Sequence, residues 1–328
     1  MRLNRFLKMT NKSKFNNIAI IGLGLIGSSV ALAIKKNRID ISTTGYAKSI
    51  KTRQTAKKIK LVSKVESSIE KTVKNADLVI ICTPLGSYKK LFWEIKPHLK
   101  KDTIITDVGS AKTKVMADVK KIISKEFDFI PAHPIAGTEK SGPEAGFAEL
   151  FINRWCIITP YRDTNKKNIL IVKKFWEKIG SSVEIMSPEH HDRVLAITSH
   201  LPHLIAYNIV NTAADLETVT KSDVIKYSAS GFRDFTRIAS SDPTMWRDIF
   251  INNKEAVLEM IGRFSEDLSV LQKAVRWNDE DTLFKIFSGT RKIRKKIIAA
   301  GQDIDADDFG RSKTVSYTHL RAHETDIN

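Results

Sequence analysis

A short apolar segment near the amino terminus, IAIIGLGLIGSSVALAI at positions 18–34, constrains the fold more than any other feature. Its glycines have the spacing G-x-G-x-x-G and are Gly22, Gly24 and Gly27. In a strand–turn–helix unit, these glycines permit a tight turn, a close approach of a pyrophosphate and close packing of helix on strand. We therefore predict a dinucleotide-binding loop, in which Leu25 and Ile26 supply free N–H groups at the helix start.

The same segment also resembles a secretory signal, because basic residues precede the apolar run and a small-residue triplet closes it. The rest of the chain argues against that interpretation. Four further strand-like stretches, TTGYA, ADLVIICTP, TIITDVGS and FDFIPAHPI, alternate with helical ones. This order predicts an α/β fold with a Rossmann-type doubly wound parallel sheet, which would be destroyed if its first strand were cleaved off.

The composition suits a protein of the cytoplasm. The chain has 328 residues, 42% hydrophobic, and a formal net charge of +17. The lysines are scattered rather than clustered with aromatic residues, so we expect neither a nucleic-acid partner nor a membrane partner. Two cysteines, Cys82 and Cys156, form neither a disulfide framework nor a zinc pattern, which fits a reducing compartment.

The end of the second predicted strand bears on the choice of cofactor. An acidic residue about 20 positions after the last glycine would bind the ribose hydroxyls of NAD. Position 47 is alanine, and Lys48, Ser49 and Arg53 follow it. The absence of a carboxylate and the nearby donors favour NADP over NAD. Alternatively, these residues simply begin a solvated helix.

Chemistry in an open α/β sheet lies beyond the carboxyl ends of its strands. Thr83 and Pro84, in the stretch CTPLG, are expected to border the cofactor. DVGSAK ends the next strand and contains Ser110, and HPIAGTEKSG begins with His133. We expect the strand to deliver this histidine to the cofactor. The alternative is a structural histidine bonded to a carbonyl group.

From residue 188 to about residue 300 the chain is predicted to be helical, beginning with Ser187 as N-cap and a proline at the first helical position. His200, His203 and Tyr207 share one helix face, and a kink at Pro202 would turn His203 toward the cleft. No third ligand stands in helical register with the histidines, so we predict no metal site.

The other polar segment of this half, GFRDFTRIASSDPTMWRDI, contains Arg233 and Arg237 at i, i+4 spacing. An arginine near a cleft suits a carboxylate, because its planar fork binds both oxygens. The alternative is an arginine in a surface ion pair, which would contribute little.

Together these segments resemble the prephenate dehydrogenase family, which includes arogenate and cyclohexadienyl dehydrogenases. The resemblance runs from about residue 16 to about residue 294, and its most specific stretches are HPIAGTEKSG and DFTRIASSDPTMW. It implies an oxidative decarboxylation of prephenate to 4-hydroxyphenylpyruvate, or of arogenate to tyrosine, with hydride transfer to NAD or NADP. It also implies a homodimer formed through the helical half.

The resemblance implies roles for individual residues. His133 matches the catalytic histidine that takes the proton of the C4 hydroxyl, and Ser110 matches the serine that positions that hydroxyl. Arg237 and His203 match residues that bind the substrate. Two further matches, near the substrate side chain, are Thr138 and Glu139.

Two other functions remain open at this point. Another NAD(P)-dependent dehydrogenase with a helical carboxyl-terminal domain would share the glycine loop but should lack HPIAGTEKSG. A basic nucleic-acid-binding protein would retain the fold without the chemistry, and its DNA binding would depend steeply on salt.

The predicted domain organisation has four parts. A flexible arm at residues 1–15 precedes a dinucleotide-binding domain at 16–187 and a helical substrate and dimerisation domain at 188–308. The remaining residues, 309–328, lack apolar periodicity and read like translated adaptor sequence. We expect them to be an unstructured and artefactual tail.

Overall fold

A computed structural model describes residues 15–123, 127–220 and 226–299 of the chain. The expected amino-terminal arm, up to residue 14, and the tail at 309–328 lie outside the described residues. Contacts divide the chain into one unit that ends at Ile261 and a second that begins at Gly262. The predicted domain boundaries stay a prediction.

The strands are short, and all belong to the first unit. They are β1 (Asn17–Ile21), β2 (Ser42–Tyr46), β3 (Lys64–Val65), β4 (Leu78–Ile81), β5 (Ile104–Asp107), β6 (Asp128–Ile130), β7 (Ala132–Pro134), β8 (Trp155–Ile158) and β9 (Ser182–Ile185). The α-helices are α1 (Leu25–Lys36), α2 (Ile50–Lys58), α3 (Ile69–Val73), α4 (Tyr88–Ile95), α5 (Thr113–Lys120), α6 (Lys166–Lys178), α7 (Pro188–Leu195), α8 (Leu201–Thr220), α9 (Ser230–Thr236), α10 (Pro243–Asn252), α11 (Lys254–Arg276) and α12 (Glu280–Ala299).

The main sheet has six parallel strands in the order β3-β2-β1-β4-β5-β6. Strand order reverses between β1 and β4, and ligands of doubly wound folds bind at such a reversal. The predicted doubly wound parallel sheet is therefore confirmed, although the two-residue β3 had no clear signal in the sequence.

Both faces of this sheet are covered, as a parallel sheet requires. Ile18 and Ile20 of β1 belong to one buried apolar cluster, whereas the intervening Ala19 and the following Ile21 belong to a second. Because successive side chains of a strand point to opposite faces, a central strand such as β1 contributes to two cores. This explains why the central strands read as continuous apolar runs.

A second, three-stranded sheet follows, in the order β7-β8-β9. The stretch FDFIPAHPI was expected to be one strand ending at the cofactor, and that expectation was wrong in detail. It forms β6 and then β7, with Pro131 between them, and β7 pairs antiparallel with β8. His133 consequently lies in the middle of β7, opposite Ile157, and not in a loop after a strand.

The helical part of the first unit begins as predicted. The hydroxyl of Ser187 accepts the N–H of His190, and Pro188 is the first residue of α7. The residues Ala196–His200 form a π-helical turn between α7 and α8. Such turns insert an extra residue into a helix, and this one ends two residues before Pro202. The kink predicted at Pro202 stays a prediction.

The apolar residues between Leu195 and Ile209, in the half of the chain expected to form a dimer, differ in exposure. Leu195 and Ala206 are buried within the first unit, whereas Ile197 and Ile209 are exposed. Taken by itself, the described part of the second unit contains α11 from Gly262 onward and α12. It exposes many large apolar side chains, including Trp277 and Phe284.

None of the helices within the three described ranges is both long enough and apolar enough to cross a membrane.

Candidate active site

The glycine loop between β1 and α1 has the geometry of a dinucleotide cradle. Gly22 has a φ of +100°, and a Cβ on it would lie 2.5 Å from the carbonyl oxygen of Cys82. A Cβ on Gly27 would lie 1.9 Å from the carbonyl oxygen of Gly22. A side chain at Gly22 would clash with the backbone after β4, and one at Gly27 would clash with the turn after β1, so both glycines are required by close backbone packing.

The start of α1 is open toward the cleft. Within the described chain, nothing lies within 4 Å of a Cβ placed on Gly24, and no side chain caps the helix there. The first N–H groups of a helix need acceptors, and a pyrophosphate supplies them at the positive end of the helix dipole. The residues present therefore fit the phosphates of a dinucleotide, with Leu25 and Ile26 lining the same cleft.

The residues expected to meet the ribose lie at the end of β2. Ala47 is buried, and Ser49 caps α2 by accepting the N–H of Thr52. Arg53 donates through Nη1 to the carbonyl oxygens of Ala47 (2.6 Å) and Lys48 (3.0 Å). The guanidinium group thus holds the β2–α2 turn together, a role that the sequence did not suggest.

The loop after β4 forms the next wall. Thr83 and Pro84 line the cleft, and Thr83 accepts the hydroxyl of Ser87 at 2.8 Å. The N–H of Gly86 donates to the buried carboxylate of Asp248 at 3.0 Å. Because Asp248 belongs to α10, this bond ties the nucleotide-binding half to the helical half of the same unit.

A buried ion pair lies beneath the loop that carries Ser110. Lys112 donates to the Asp107 carboxylate at 2.8 and 2.9 Å, and both side chains are fully buried. The same carboxylate accepts the N–H groups of Gly109 (2.9 Å) and Ala132 (3.0 Å). Lys112 also donates to the carbonyl oxygen of Ala132. Asp107 and Lys112 together therefore fix both the Ser110 loop and the residue before His133.

His133 is a buried histidine in the wall of the cleft, with 7% of its surface exposed. Burial holds the pKa of its imidazole well below the ordinary value of 6.5, and the neighbouring His191, Lys112 and His200 lower that pKa further. The ring is consequently neutral at pH 7, which is the state that a general base requires.

One nitrogen of His133 is already bonded within the protein. Its Nδ1 lies 2.8 Å from Nε2 of His191, whose Nδ1 lies 2.8 Å from the Asp192 carboxylate. Sequence reasoning missed His191 and Asp192. The stretch HHD near the start of α7 could have indicated them, because it places polar residues in the first turns of a helix that packs against the site.

His200 and His203 of the helical half both contact Trp246, but they differ in burial. His203 lines the cleft and stacks on Trp246, with ring centroids 3.6 Å apart. His200 is fully buried, and burial lowers its pKa to about 4. Tyr207 donates to the carbonyl oxygen of Ser241.

The tautomer of His203 follows from its contacts. Its Nδ1 lies 2.9 Å from the carbonyl oxygen of Ser199, so Nδ1 carries the proton. The neutral ring presents an acceptor, Nε2, and it becomes a donor to a substrate oxygen when protonated. Burial lowers the pKa of His203, and the nearby Arg237 lowers it further.

Arg237 and Glu139 form an ion pair beside the cleft, with Arg237 Nη1 2.9 Å from Glu139 Oε2. Both are partly exposed, so the pair contributes about 0–1 kcal/mol to stability. Thr138 is exposed next to Glu139 and also lines the cleft. Arg237 can therefore exchange Glu139 for another carboxylate at small cost.

A single cleft of about 570 Å³ brings most of the predicted site residues together. It is lined by Gly24, Leu25, Ile26, Thr83, Pro84, Ser110, His133, Thr138, Glu139, His203 and Arg237, among others. Lys48, Ser49 and Arg53 are not part of its lining and lie at the β2–α2 turn. A 570 Å³ cleft is of the size that holds a small molecule.

Comparison with known proteins gives two adjacent family matches. Residues 30–185 match the family model "Prephenate dehydrogenase, nucleotide-binding domain". Residues 187–289 match the model "Prephenate dehydrogenase, dimerization domain".

Individual relatives agree with these matches. The chain is 41% identical over 280 residues to cyclohexadienyl dehydrogenase of Zymomonas mobilis, covering 85% of this chain and 95% of that protein. It is 35% identical to prephenate dehydrogenase of Bacillus subtilis, covering 85% and 75% of the two chains. Among solved structures, prephenate dehydrogenase of A. aeolicus in complex with hydroxyphenyl propionate and NAD+ is 35% identical with a TM-score of 0.81, covering 86% of this chain and 98% of that chain.

Proposed function

The chain belongs to the prephenate dehydrogenase family, and we propose that its cleft performs the family reaction with His133 as the general base. The protein is an NAD(P)-dependent dehydrogenase that catalyses an oxidative decarboxylation in tyrosine biosynthesis. Its substrate is a small cyclohexadienyl acid, prephenate or arogenate. The observation that carries the assignment of roles is a buried, neutral histidine in the wall of a cleft that begins at an uncapped helix start.

The reaction needs a base at the hydroxyl group of the substrate ring. As C4 loses its hydride, its hydroxyl oxygen becomes a carbonyl oxygen, and the hydroxyl proton must move to an acceptor within hydrogen-bond reach. We assign that acceptor to the imidazole of His133, with Ser110 orienting the hydroxyl group. When the carboxylate leaves as CO2, its bonding electrons enter the ring, and the proton returns from His133 to the oxygen of the new phenol.

The glycine loop and the start of α1 would hold the pyrophosphate of the dinucleotide. The nicotinamide, when bound, supplies the hydride acceptor. Thr83 and Pro84 would border it, because the loop after β4 forms the wall of the cleft that continues from Gly24. Asp248, through its bond to Gly86, would keep this loop against α10.

We propose that Arg237 binds a carboxylate of the substrate. Its present partner, Glu139, is itself a carboxylate, so the geometry for a charge-assisted bond already exists. His203 would contribute a second contact, and Thr138 with Glu139 would face the substrate side chain. The net positive charge of the protein would attract such an anion, and salt would screen that attraction.

We propose that NADP is preferred to NAD. Ala47 provides no carboxylate for the ribose hydroxyls, and none to repel a 2′-phosphate. Lys48 is exposed beside it. Arg53 would act through the turn that it holds together, presenting Lys48 and Ser49. The preference is modest, because exposed charge pairs contribute about 0–1 kcal/mol each.

We propose that the homodimer forms through the helical half of the chain, at the apolar side chains that α11 and α12 expose. The match of residues 187–289 to a dimerization domain supports this. Both cysteines are free, so we also propose that the enzyme works in the reducing cytoplasm.

A two-by-two assay tests the proposal, with prephenate and arogenate against NAD and NADP, monitored by the absorbance of the reduced cofactor. At least one combination should give turnover, and the NADP combination should exceed the NAD one. His133→Asn is the matched variant, since it keeps the size and polarity of the site but removes the base. Turnover with neither substrate by the folded wild-type protein would contradict the proposal.

A further inference from the structure

A chain of three polar side chains runs from the cleft into the interior of the first unit. His133 (7% exposed) contacts His191 (0%), which contacts Asp192 (4%). Both contacts are 2.8 Å long. Buried polar groups are costly unless hydrogen-bonded, so an arrangement of three such groups is tightly determined by its bonding.

Asp192, at the inner end of this row of hydrogen-bonded side chains, is held by backbone N–H groups. The two carboxylate oxygens of Asp192 accept the N–H groups of Lys112 (2.9 Å) and Thr113 (2.8 Å) at the start of α5. Burial by itself would raise the pKa of Asp192, but the hydrogen bonds from His191 and Thr113 hold it below the ordinary value. Asp192 is therefore a carboxylate, which can accept protons but has none to donate.

The protonation states of the His191 and His133 rings follow from the ionised state of Asp192. Because Asp192 accepts, Nδ1 of His191 carries a proton, and the neutral ring of His191 has its lone pair on Nε2. That lone pair lies against Nδ1 of His133, so Nδ1 of His133 must carry a proton. The lone pair of His133 is then on Nε2, the nitrogen that this chain of bonds does not use.

We propose that His191 and Asp192 are positioning residues for the base, an inference that rests on the function proposed above. They fix His133 as the Nδ1–H tautomer, with Nε2 free to accept the substrate's hydroxyl proton. When Nε2 takes that proton, the Nδ1 proton can move to His191, and the resulting positive charge lies beside the Asp192 carboxylate. The reverse transfer returns the proton to the phenol oxygen, so no proton is gained or lost.

The other charged and titratable groups around His133 and His191 have partners of their own. Lys112, which approaches from the β5–α5 loop, is neutralised by Asp107. His200 approaches from the π-helical turn, and its Nδ1 accepts a hydrogen bond from the side-chain amide N–H of Asn253. Among the described groups that act on this pair, Asp192 is therefore the carboxylate that can stabilise a cation on the two rings.

A purely structural role is the competing explanation, since Asp192 also binds the first N–H groups of α5. Kinetics separates the two. His191→Leu removes the acceptor of the Nδ1 proton, whereas His191→Gln retains an oxygen that can accept it. We expect His191→Leu to lower kcat about 10²-fold with KM unchanged, because a base held in the wrong tautomer loses up to about 10⁴-fold. His191→Gln should recover most of the loss.

The same substitution is then made in a His133→Asn background. If His191 acts through His133, His191→Leu should cause no further loss there. Equal losses in both backgrounds, or wild-type kcat in the single His191→Leu variant, would overturn the inference. Wild-type turnover in His133→Asn itself would instead refute the proposed function, so the two failures are distinguishable.

A measurement on the unaltered enzyme guards against misfolded variants. In ¹⁵N NMR of histidine-labelled protein, the His133 signals are assigned by their disappearance in His133→Asn. The inference predicts a protonated Nδ1 and an unprotonated Nε2 at pH 7.5. A protonated Nε2 would overturn it.

Discussion

The ammonium group of Lys112 and the carboxylate of Asp107 lie 2.8 Å apart, and neither side chain has any exposed surface. The pair connects the Ser110 loop with Ala132, the residue before His133. Breaking a buried pair by removing one partner leaves an uncompensated charge, which is far more damaging than the loss of a surface pair.

Lys112→Met should lower the free energy of unfolding by about 3–5 kcal/mol, measured by urea denaturation, because the Asp107 carboxylate loses its counter-ion. Lys114→Met is the control, since Lys114 is half exposed and pairs with Asp118 on the surface of α5. The control should change stability by about 0.5 kcal/mol or less. Similar losses of unfolding free energy in the two variants would show that the buried pair stabilises the protein no more than the surface pair does.

Arg237→Gln should raise KM for the substrate with little change in kcat, because it removes a carboxylate contact that both the ground state and the transition state use. Since Arg237 is 45% exposed, we expect the lower end of the range for charged hydrogen bonds, about 1.5 kcal/mol or about 10-fold in KM. Arg193→Gln serves as control, as Arg193 is exposed on α7. An unchanged KM in Arg237→Gln would exclude a role in substrate binding.

Ala47→Asp should shift the ratio of kcat/KM values toward NAD, since the new carboxylate would accept the ribose hydroxyls and repel a 2′-phosphate. Gln54→Asp introduces the same charge on an exposed position of α2 and should leave the ratio unchanged. Cofactor ratios that are equal in all three proteins would mean that position 47 does not face the ribose.

Stability should fall as the pH is lowered below 6.5. Burial lowers the pKa values of His133, His191 and His200 in the folded protein, the last to about 4. Below 6.5 the unfolded chain binds protons that the folded chain excludes, so the stabilisation present above 6.5 is lost progressively toward lower pH. Each histidine contributes a limiting slope of about 1.4 kcal/mol per pH unit.

Urea denaturation at pH 7.5 and 5.5 checks this pH dependence. The free energy of unfolding should be clearly lower at pH 5.5 in the wild type. His191→Leu, which removes one of the three groups, should show a smaller difference between the two pH values. A wild-type stability that is flat between them would contradict the buried, neutral histidines.

The features predictable from the sequence were those determined by neighbouring residues. The positive φ of Gly22 and the contact of Gly27 with Gly22 lie within one strand–turn–helix unit, and the Ser187–Pro188 helix start is equally local. The parallel sheet was predictable because its strands are buried on both faces. The strand broken at Pro131 was not, since the apolar run continues across the break and the second sheet is defined by pairing with β8.

The candidate site was predictable in its members but not in its bonding. His191 lies 58 positions from His133, and nothing in the periodicity of either segment brings them together. His200 and His203 had the same helical signal and both contact Trp246, yet His203 lines the cleft whereas His200 is fully buried. Arg53 looked like a phosphate ligand, yet its contacts are to the carbonyl oxygens of its own turn.

The most direct test of the account is the turnover of His133→Asn with the better substrate and cofactor pair at pH 7.5. Loss of the general base should lower kcat by about 10²- to 10⁴-fold. Binding of the reduced cofactor, followed by its fluorescence, should stay at the wild-type level, which shows that the cleft is intact. A His133→Asn enzyme that binds cofactor and turns over at the wild-type rate would contradict the assignment of His133 as the base.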